Sequence, residues 1–226
     1  MKTVALIPYW SEYSFPNKSI KHRDTIKIGG RALINYTIEV ASHIHEIDDI
    51  VIYSSNNEVF NLIEESFKCK FLKRDRTLDS QKVSIEDIID AFLKESDADI
   101  IVLLHPKNPF LKKETIFSCI EKVKSSLYDS AFVVSKANKL AWYKGNTLNY
   151  SLDRDTPSSS SIEPIVLESS SVYVFTRELF QRTHSRIGPN SFMVEIGHFE
   201  GLEVDRKDDY LVAELIINSG LEYIEV

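Results

Sequence analysis

The stretch Ile100-Ile101-Val102-Leu103-Leu104-His105-Pro106-Lys107-Asn108-Pro109-Phe110-Leu111 decides the architecture. Five apolar residues run without polar alternation, so the strand they form is covered on both faces. Two prolines then fix the backbone and remove donors, which ends the strand and stiffens the loop after it. Outward from this point the pattern repeats. Residues 4–7, 50–53, 131–134 and 171–175 read as further strands, with shorter ones at 69–72 and 202–204 and a last run at 223–226 that closes the sheet. Between them, 31–45, 58–67, 84–93, 114–127, 177–182 and 208–219 carry helical spacing, and Ser84 with Asp87 makes a capping box. Buried strands alternating with helices predict an α/β fold: a Rossmann-like, mostly parallel sheet with helices on both faces. Residues 136–164 are polar, contain Lys144-Gly145-Asn146 and a serine run, and read as a small inserted hairpin and loop. The rest of 1–226 reads as one domain.

Ligands of such sheets sit beyond the carboxyl ends of the strands. Chemistry is therefore expected in 8–28, 54–57, 74–84 and 105–112. Composition narrows its kind. Of 226 residues, 27 are Lys or Arg and 34 are Asp or Glu, a formal charge of -7 that disfavours nucleic acid as a partner. Two cysteines, Cys69 and Cys119, lie far apart, which argues for packed thiols rather than a disulfide framework or zinc site. The first apolar run is too short for a signal peptide or membrane span, so a soluble, cytoplasmic protein without a membrane partner is expected.

Three groups of residues suit chemistry. Glu203 and Asp205, two apart on the expected strand, point the same way and suit one hard divalent cation shared with substrate phosphates. They equally suit an exposed acidic strand end, with Asp208 and Asp209 complementing the dipole of the next helix. The loop 105–112 holds His105 and Asn108 in fixed positions, or is simply a proline-rich exit turn. The long loop after the first strand carries Lys18, Lys21, Arg23 and Lys27, a positive run in an acidic protein that suits a triphosphate or is a solvated charged loop. Glycine-rich phosphate loops and a G-x-S-x-G elbow are absent.

Read in order, these pieces resemble the cytidylyltransferases that activate acidic sugars as CMP-sugars, the CMP-sialic acid (acylneuraminate) synthetases and their 3-deoxy-octulosonate cousins. Ile7-Pro8 and Phe15-Pro16-Asn17-Lys18-Ser19-Ile20 resemble the ends of the family's I-P-A-R-G-G-S-K…P-x-K-N loop. Gly30-Arg31-Ala32-Leu33-Ile34-Asn35-Tyr36-Thr37-Ile38-Glu39 resembles G-K-P-L-I-x-Y-T-I-E. Tyr53-Ser54-Ser55-Asn56-Asn57 resembles V-S-T-D-D, Arg74 to Ser80 resembles R-P-x-x-L-A-x-D, and Leu104 to Leu111 resembles L-Q-P-T-S-P-L-R. Ser169 to Val174 resembles N-G-x-x-Y-I, and Glu203-Val204-Asp205-Arg206-Lys207-Asp208-Asp209 resembles D-I-D-T-x-x-D. The chain departs where A-R-G-G-S-K has become Tyr9-Trp10-Ser11-Glu12-Tyr13-Ser14, since bulky aromatics obstruct the close approach of backbone to phosphate that glycine permits.

The resemblance implies transfer of CMP from CTP to an acidic, sialic-acid-like sugar, with release of pyrophosphate. It implies CTP against Pro8, Tyr9, Trp10, Ser54, Asn56, Arg74 and Ser80, and Mg²⁺ on Glu203 and Asp205. Lys18, with Lys21 or Arg23, would neutralise pyrophosphate, and His105 would serve as base. The acceptor would meet His105, Lys107, Asn108, Lys112, Ser169 and Tyr173. The 136–164 insertion stands where the family has a dimer arm, which implies a homodimer. Two alternatives are a relative that keeps the fold as a sugar- or nucleotide-binding scaffold without catalysis, and a cytidylyltransferase for a phosphonate or phosphate acceptor.

Overall fold

Alternate residues of β1 (Thr3–Pro8) face opposite ways: Ala5 and Ile7 enter one core layer, Val4 and Leu6 the other. That double burial is what an uninterrupted apolar run requires. The computed structural model describes residues 1–10, 26–80, 82–153, 155–158 and 161–220. The central sheet has seven strands. They are β1, β4 (Asp49–Ser54), β5 (Lys70–Lys73), β6 (Ile100–Leu104), β7 (Ser130–Ala137), β10 (Ile165–Thr176) and β11 (Ser191–Glu195). The order is β11-β7-β10-β6-β1-β4-β5. β10 runs antiparallel to both neighbours, and every other pairing is parallel.

One layer is filled by α1 (Leu33–Ser42) and α3 (Lys113–Lys124), through Ile34, Ile38, Ile116 and Ile120. The opposite layer is filled by α2 (Ile85–Glu95) and α4 (Arg177–Thr183), through Ile88, Phe92, Leu179 and Phe180. The Ser84–Asp87 capping box forms as expected, with Ser84 Oγ accepting from the Asp87 backbone at 3.1 Å. A third cluster joins α5 (Lys207–Ser219) to a hairpin of β2 (Lys27–Ile28) and β3 (Arg31–Ala32), through Ile28, Leu33, Val204 and Ala213. Its turn, Gly29-Gly30, has both φ values positive, at 59° and 77°. A Cβ on Gly29 would lie 2.6 Å from Ile217 Cγ2, so the residue serves both the turn and the close approach of α5. The insertion holds a second hairpin, β8 (Trp142–Tyr143) with β9 (Asn146–Thr147).

Two expectations are corrected and one strand is added. Residues 58–67 do not form an α-helix; a 3-10 segment covers Asn57–Leu62 only. There the Asn35 side chain donates to Leu62 O at 2.8 Å and accepts from Glu64 N at 3.1 Å, satisfying backbone that a continuing helix would have paired. Residues 202–204 form no strand. Val204 N donates to Lys107 O at 2.8 Å and Asp205 N to Glu203 O at 3.1 Å, so loop and turn bonds take the place of a ladder. β11 is an addition: a half-exposed edge strand with only a three-residue apolar run, Phe192-Met193-Val194, to announce it. The run at 223–226 lies outside the described residues.

Candidate active site

Because β1, β4, β6 and β7 are co-directional, their carboxyl ends share one edge, and the first half of the antiparallel β10 meets them there. Two groups of residues assemble on this edge. The first is built on Arg74, which is 1% exposed. Its guanidinium donates to Tyr9 O at 3.0 Å, Tyr53 O at 3.2 Å and Asp79 Oδ1 at 2.5 Å, and it stacks 4.8 Å from the Trp10 ring centre. Tyr9 N also donates to Tyr53 O at 3.0 Å, so the exits of β1 and β4 are clamped together. Arg74 Nε is buried without a hydrogen-bond partner among the described residues. Ser54 is fully buried, and Asn56 beside it spends its side chain capping the 3-10 segment on Glu58 N. Ser80 ends the next turn, where its hydroxyl accepts from Lys82 N at 3.3 Å. Pro8, Tyr9, Trp10, Ser54, Asn56 and Arg74 therefore lie near one another at one strand edge. Lys18, Lys21 and Arg23 lie outside the described residues.

The second group is built on Lys107. Its ammonium lies 2.6 Å from Glu203 Oε2 and 3.4 Å from Asp205 Oδ2. Both carboxylates therefore converge, but through a loop rather than by strand alternation. Glu203 Oε1 accepts from Ser169 Oγ at 2.6 Å, and Ser169 Oγ lies 2.6 Å from Ser171 Oγ. Asp209 Oδ2 accepts from Asp205 N at 3.1 Å and Arg206 N at 2.7 Å, which sets the turn into α5. A cleft of about 290 Å³ opens beside Glu203, lined also by Ser135, Glu168, Ser169, His198 and Asp209. A larger cavity of about 630 Å³ lies where β4 begins, among Asp48, Asp49, Cys69 and Lys70, and holds none of the residues nominated from the sequence.

The other nominated residues fall around this second group. His105 follows β6, its backbone N donating to Ser171 O at 3.1 Å and its carbonyl accepting from Lys107 N at 2.8 Å. Asn108 is buried and turned inward, donating to Glu200 O at 2.6 Å and accepting from Phe110 N at 3.0 Å. Lys112 precedes α3, where its backbone N donates to Glu200 Oε1 at 3.0 Å. Tyr173 is buried in the sheet, its hydroxyl donating to Glu168 Oε1 at 2.5 Å and its ring covered by the Arg186 guanidinium at 4.4 Å. Burial first, and Glu168 next, push its phenol well above the ordinary range, so it remains a donor.

Sequence reading missed Glu200 and Asp79. Glu200 Oε1 also accepts from Thr115 Oγ1 at 2.5 Å, so this buried carboxylate closes the amino end of α3, while the backbone carbonyl of the same residue holds Asn108 of the 105–112 loop. Asp79 holds Arg74 and accepts from Ser55 Oγ. It lies inside the stretch matched to R-P-x-x-L-A-x-D, one residue after its leucine, but at a position where that string carries no acid.

As to a cation, among the described residues no group of three His, Cys, Asp or Glu side chains could enclose one. Glu203 and Asp205 nevertheless reach one positive nitrogen from two residues, and two carboxylates plus substrate oxygens and water are a donor set that Mg²⁺ accepts. The residues present fit it.

A strand edge carrying a buried arginine clamp and a convergent acidic pair defines a nucleotide-handling α/β protein, and comparison with known proteins gives the family. The cytidylyltransferase family profile matches residues 15–192, and the chain belongs to that family. It is a nucleotidyltransferase that uses CTP. It is 21% identical to CMP-N,N'-diacetyllegionaminic acid synthase of Legionella pneumophila over 98% of this chain and 99% of that one. It is 28% identical to N-acylneuraminate cytidylyltransferase of Escherichia coli O18:K1:H7 over 61% of this chain and 32% of the relative. Among solved structures, a CMP:2-keto-3-deoxy-manno-octonic acid synthetase complexed with CTP superposes with TM-score 0.71 at 14% identity, over 98% of this chain and 100% of that one. The 4-diphosphocytidyl-2C-methyl-D-erythritol synthase of Anaerococcus prevotii superposes with TM-score 0.68 at 13% identity, over 96% and 98%. The last two comparisons show the fold.

Proposed function

We propose that the enzyme transfers CMP from CTP to an acidic sugar of the nonulosonic, sialic-acid-like class. The observation that carries the reading is the convergence of Glu203 and Asp205 at the strand edge beside an open cleft. A full-length match to a CMP-legionaminic acid synthase supports the acceptor class. In the reaction an acceptor oxygen attacks the α-phosphorus of CTP. The new O–P bond forms as the bond to pyrophosphate breaks, and His105 takes the acceptor's proton. Lys18, with Lys21 or Arg23, balances the charge of the leaving pyrophosphate. Glu203 and Asp205 would hold Mg²⁺, which when bound supplies charge neutralisation on phosphate oxygens. Arg74 shapes the nucleotide side by fixing the Tyr9 and Tyr53 carbonyls. Lys107 is committed to the acidic pair, which leaves Lys112 as the nominated cation for the acceptor's acid group.

Among the described residues no helix is long and apolar enough to cross a membrane. A cytoplasmic setting belongs to the reading because the nucleotide donor is an intracellular metabolite. So does a homodimer, for which the 136–164 segment carries exposed Leu140, Trp142, Tyr143, Leu148 and Leu152. The test is pyrophosphate release from each of the four triphosphates with legionaminic, sialic and 3-deoxy-octulosonic acids. Turnover is expected with CTP alone, and to fall at least about 100-fold in a Glu203→Gln, Asp205→Asn double variant. Equal turnover of the four nucleotides, or an unaffected double variant, overturns the reading.

A further inference from the structure

Lys107 is more than a surface ion pair. Its side chain is 10% exposed and that of Glu203 17%. Its backbone is fixed between Pro106 and Pro109, with Lys107 O accepting from Val204 N at 2.8 Å. That bond sets the lysine against the residue between the two acids, so the position of its ammonium follows from the loop. Glu203 is itself held, by Ser169 at 2.6 Å and Ser170 at 3.4 Å. Two carboxylates held near one cation repel each other without it, and although the Asp205 side chain keeps 43% exposure, the repulsion is least screened at the more buried Glu203. The ammonium supplies that cation, and it occupies the point a divalent ion would need.

We propose that Lys107 is a resident counter-cation that keeps the acidic pair together in the unliganded enzyme and must be displaced when a divalent cation binds there. The inference rests on the metal assignment above and concerns what competes for that site. It makes the unliganded enzyme a poor metal binder, because an incoming ion has to expel a paired ammonium from a largely buried position. Removing the ammonium removes the competitor and raises the net negative charge at the acids, a stronger site for a hard dication.

The test is Mn²⁺ binding to the nucleotide-free protein, read from the electron paramagnetic resonance signal of the free ion. The wild type, Lys107→Met, Lys107→Gln, Lys107→Arg, Glu203→Gln and the Lys107→Met, Glu203→Gln pair are compared, with circular dichroism as the folding control. Lys107→Met is expected to bind Mn²⁺ at least about tenfold more tightly than the wild type. Lys107→Gln should do likewise and stands in if the Met variant does not fold. Lys107→Arg should bind as weakly as the wild type, and the added Glu203→Gln change should cancel the gain. If removing the ammonium leaves Mn²⁺ affinity unchanged while Glu203→Gln abolishes binding, the counter-cation role is overturned and the metal site stands. If Glu203→Gln alters binding in neither background, the metal assignment itself fails.

Discussion

The guanidinium carbon of Arg74 lies over the indole of Trp10, 4.8 Å from the ring centre, on a clamp that joins the ends of two neighbouring strands. The sequence puts these residues 64 positions apart; the fold makes them one unit. Trp10 stands in the loop that departs from the family's glycines. An aromatic ring there covers a buried cation whose remaining donors go to Tyr9 O, Tyr53 O and Asp79.

Arg74→Ala should therefore lose far more than a surface arginine would. It removes the donors to Tyr9 O, Tyr53 O and Asp79 Oδ1 and empties a buried volume, at a cost of about 3 kcal/mol. The measurement is the urea midpoint at constant m-value. In a Trp142→Phe background, Trp10 fluorescence should shift red as its cover is lost. An unchanged midpoint and emission would show that the clamp contributes nothing.

Glu200 separates hydrogen bonding from charge. Glu200→Gln keeps an acceptor for Lys112 N and Thr115 Oγ1 but removes the negative charge at the start of α3, costing about 1 kcal/mol. Glu200→Ala removes both and should cost about 2–3 kcal/mol. The two thermal or urea midpoints should rank in that order. Equal losses would mean that charge, not hydrogen bonding, fixes the loop.

The cysteines make a pH prediction. Burial pushes the Cys119 thiol up to about 12, and burial also raises that of the half-buried Cys69. The reactive thiolate is formed only above the raised value, so at pH 8 Cys119 should be essentially inert and Cys69 slower than a free thiol. Timed alkylation with iodoacetamide, followed by peptide mass mapping, checks this. Both should react at free-thiol rates in denaturant, and Cys119 labelled as fast in native protein would contradict its burial in the core.

Strands buried on both faces were legible because apolar continuity records that burial: 100–104 matches β6, and 4–7, 50–53 and 171–175 lie inside β1, β4 and β10. Edge positions were not, since β11 offers only the three-residue apolar run Phe192-Met193-Val194 and is half exposed. The acidic pair could be read from local spacing, and its convergence held even though the strand expected there does not form. Its partner could not be read. Lys107 and Asp205 are 98 residues apart, and nothing local in either segment encodes their meeting. Asn108 was nominated for substrate contact, yet its inward bond depends on Glu200, 92 positions away.

Val204 is fully buried against Ile28 and Leu33, while Glu203 and Asp205 flank it in the chain. The acids thus hang on a hydrophobic pin seated in the hairpin that ends the basic segment. Loosening that small cluster, as Val204→Ala would, should therefore unseat the acids without disturbing the two larger core layers of the sheet.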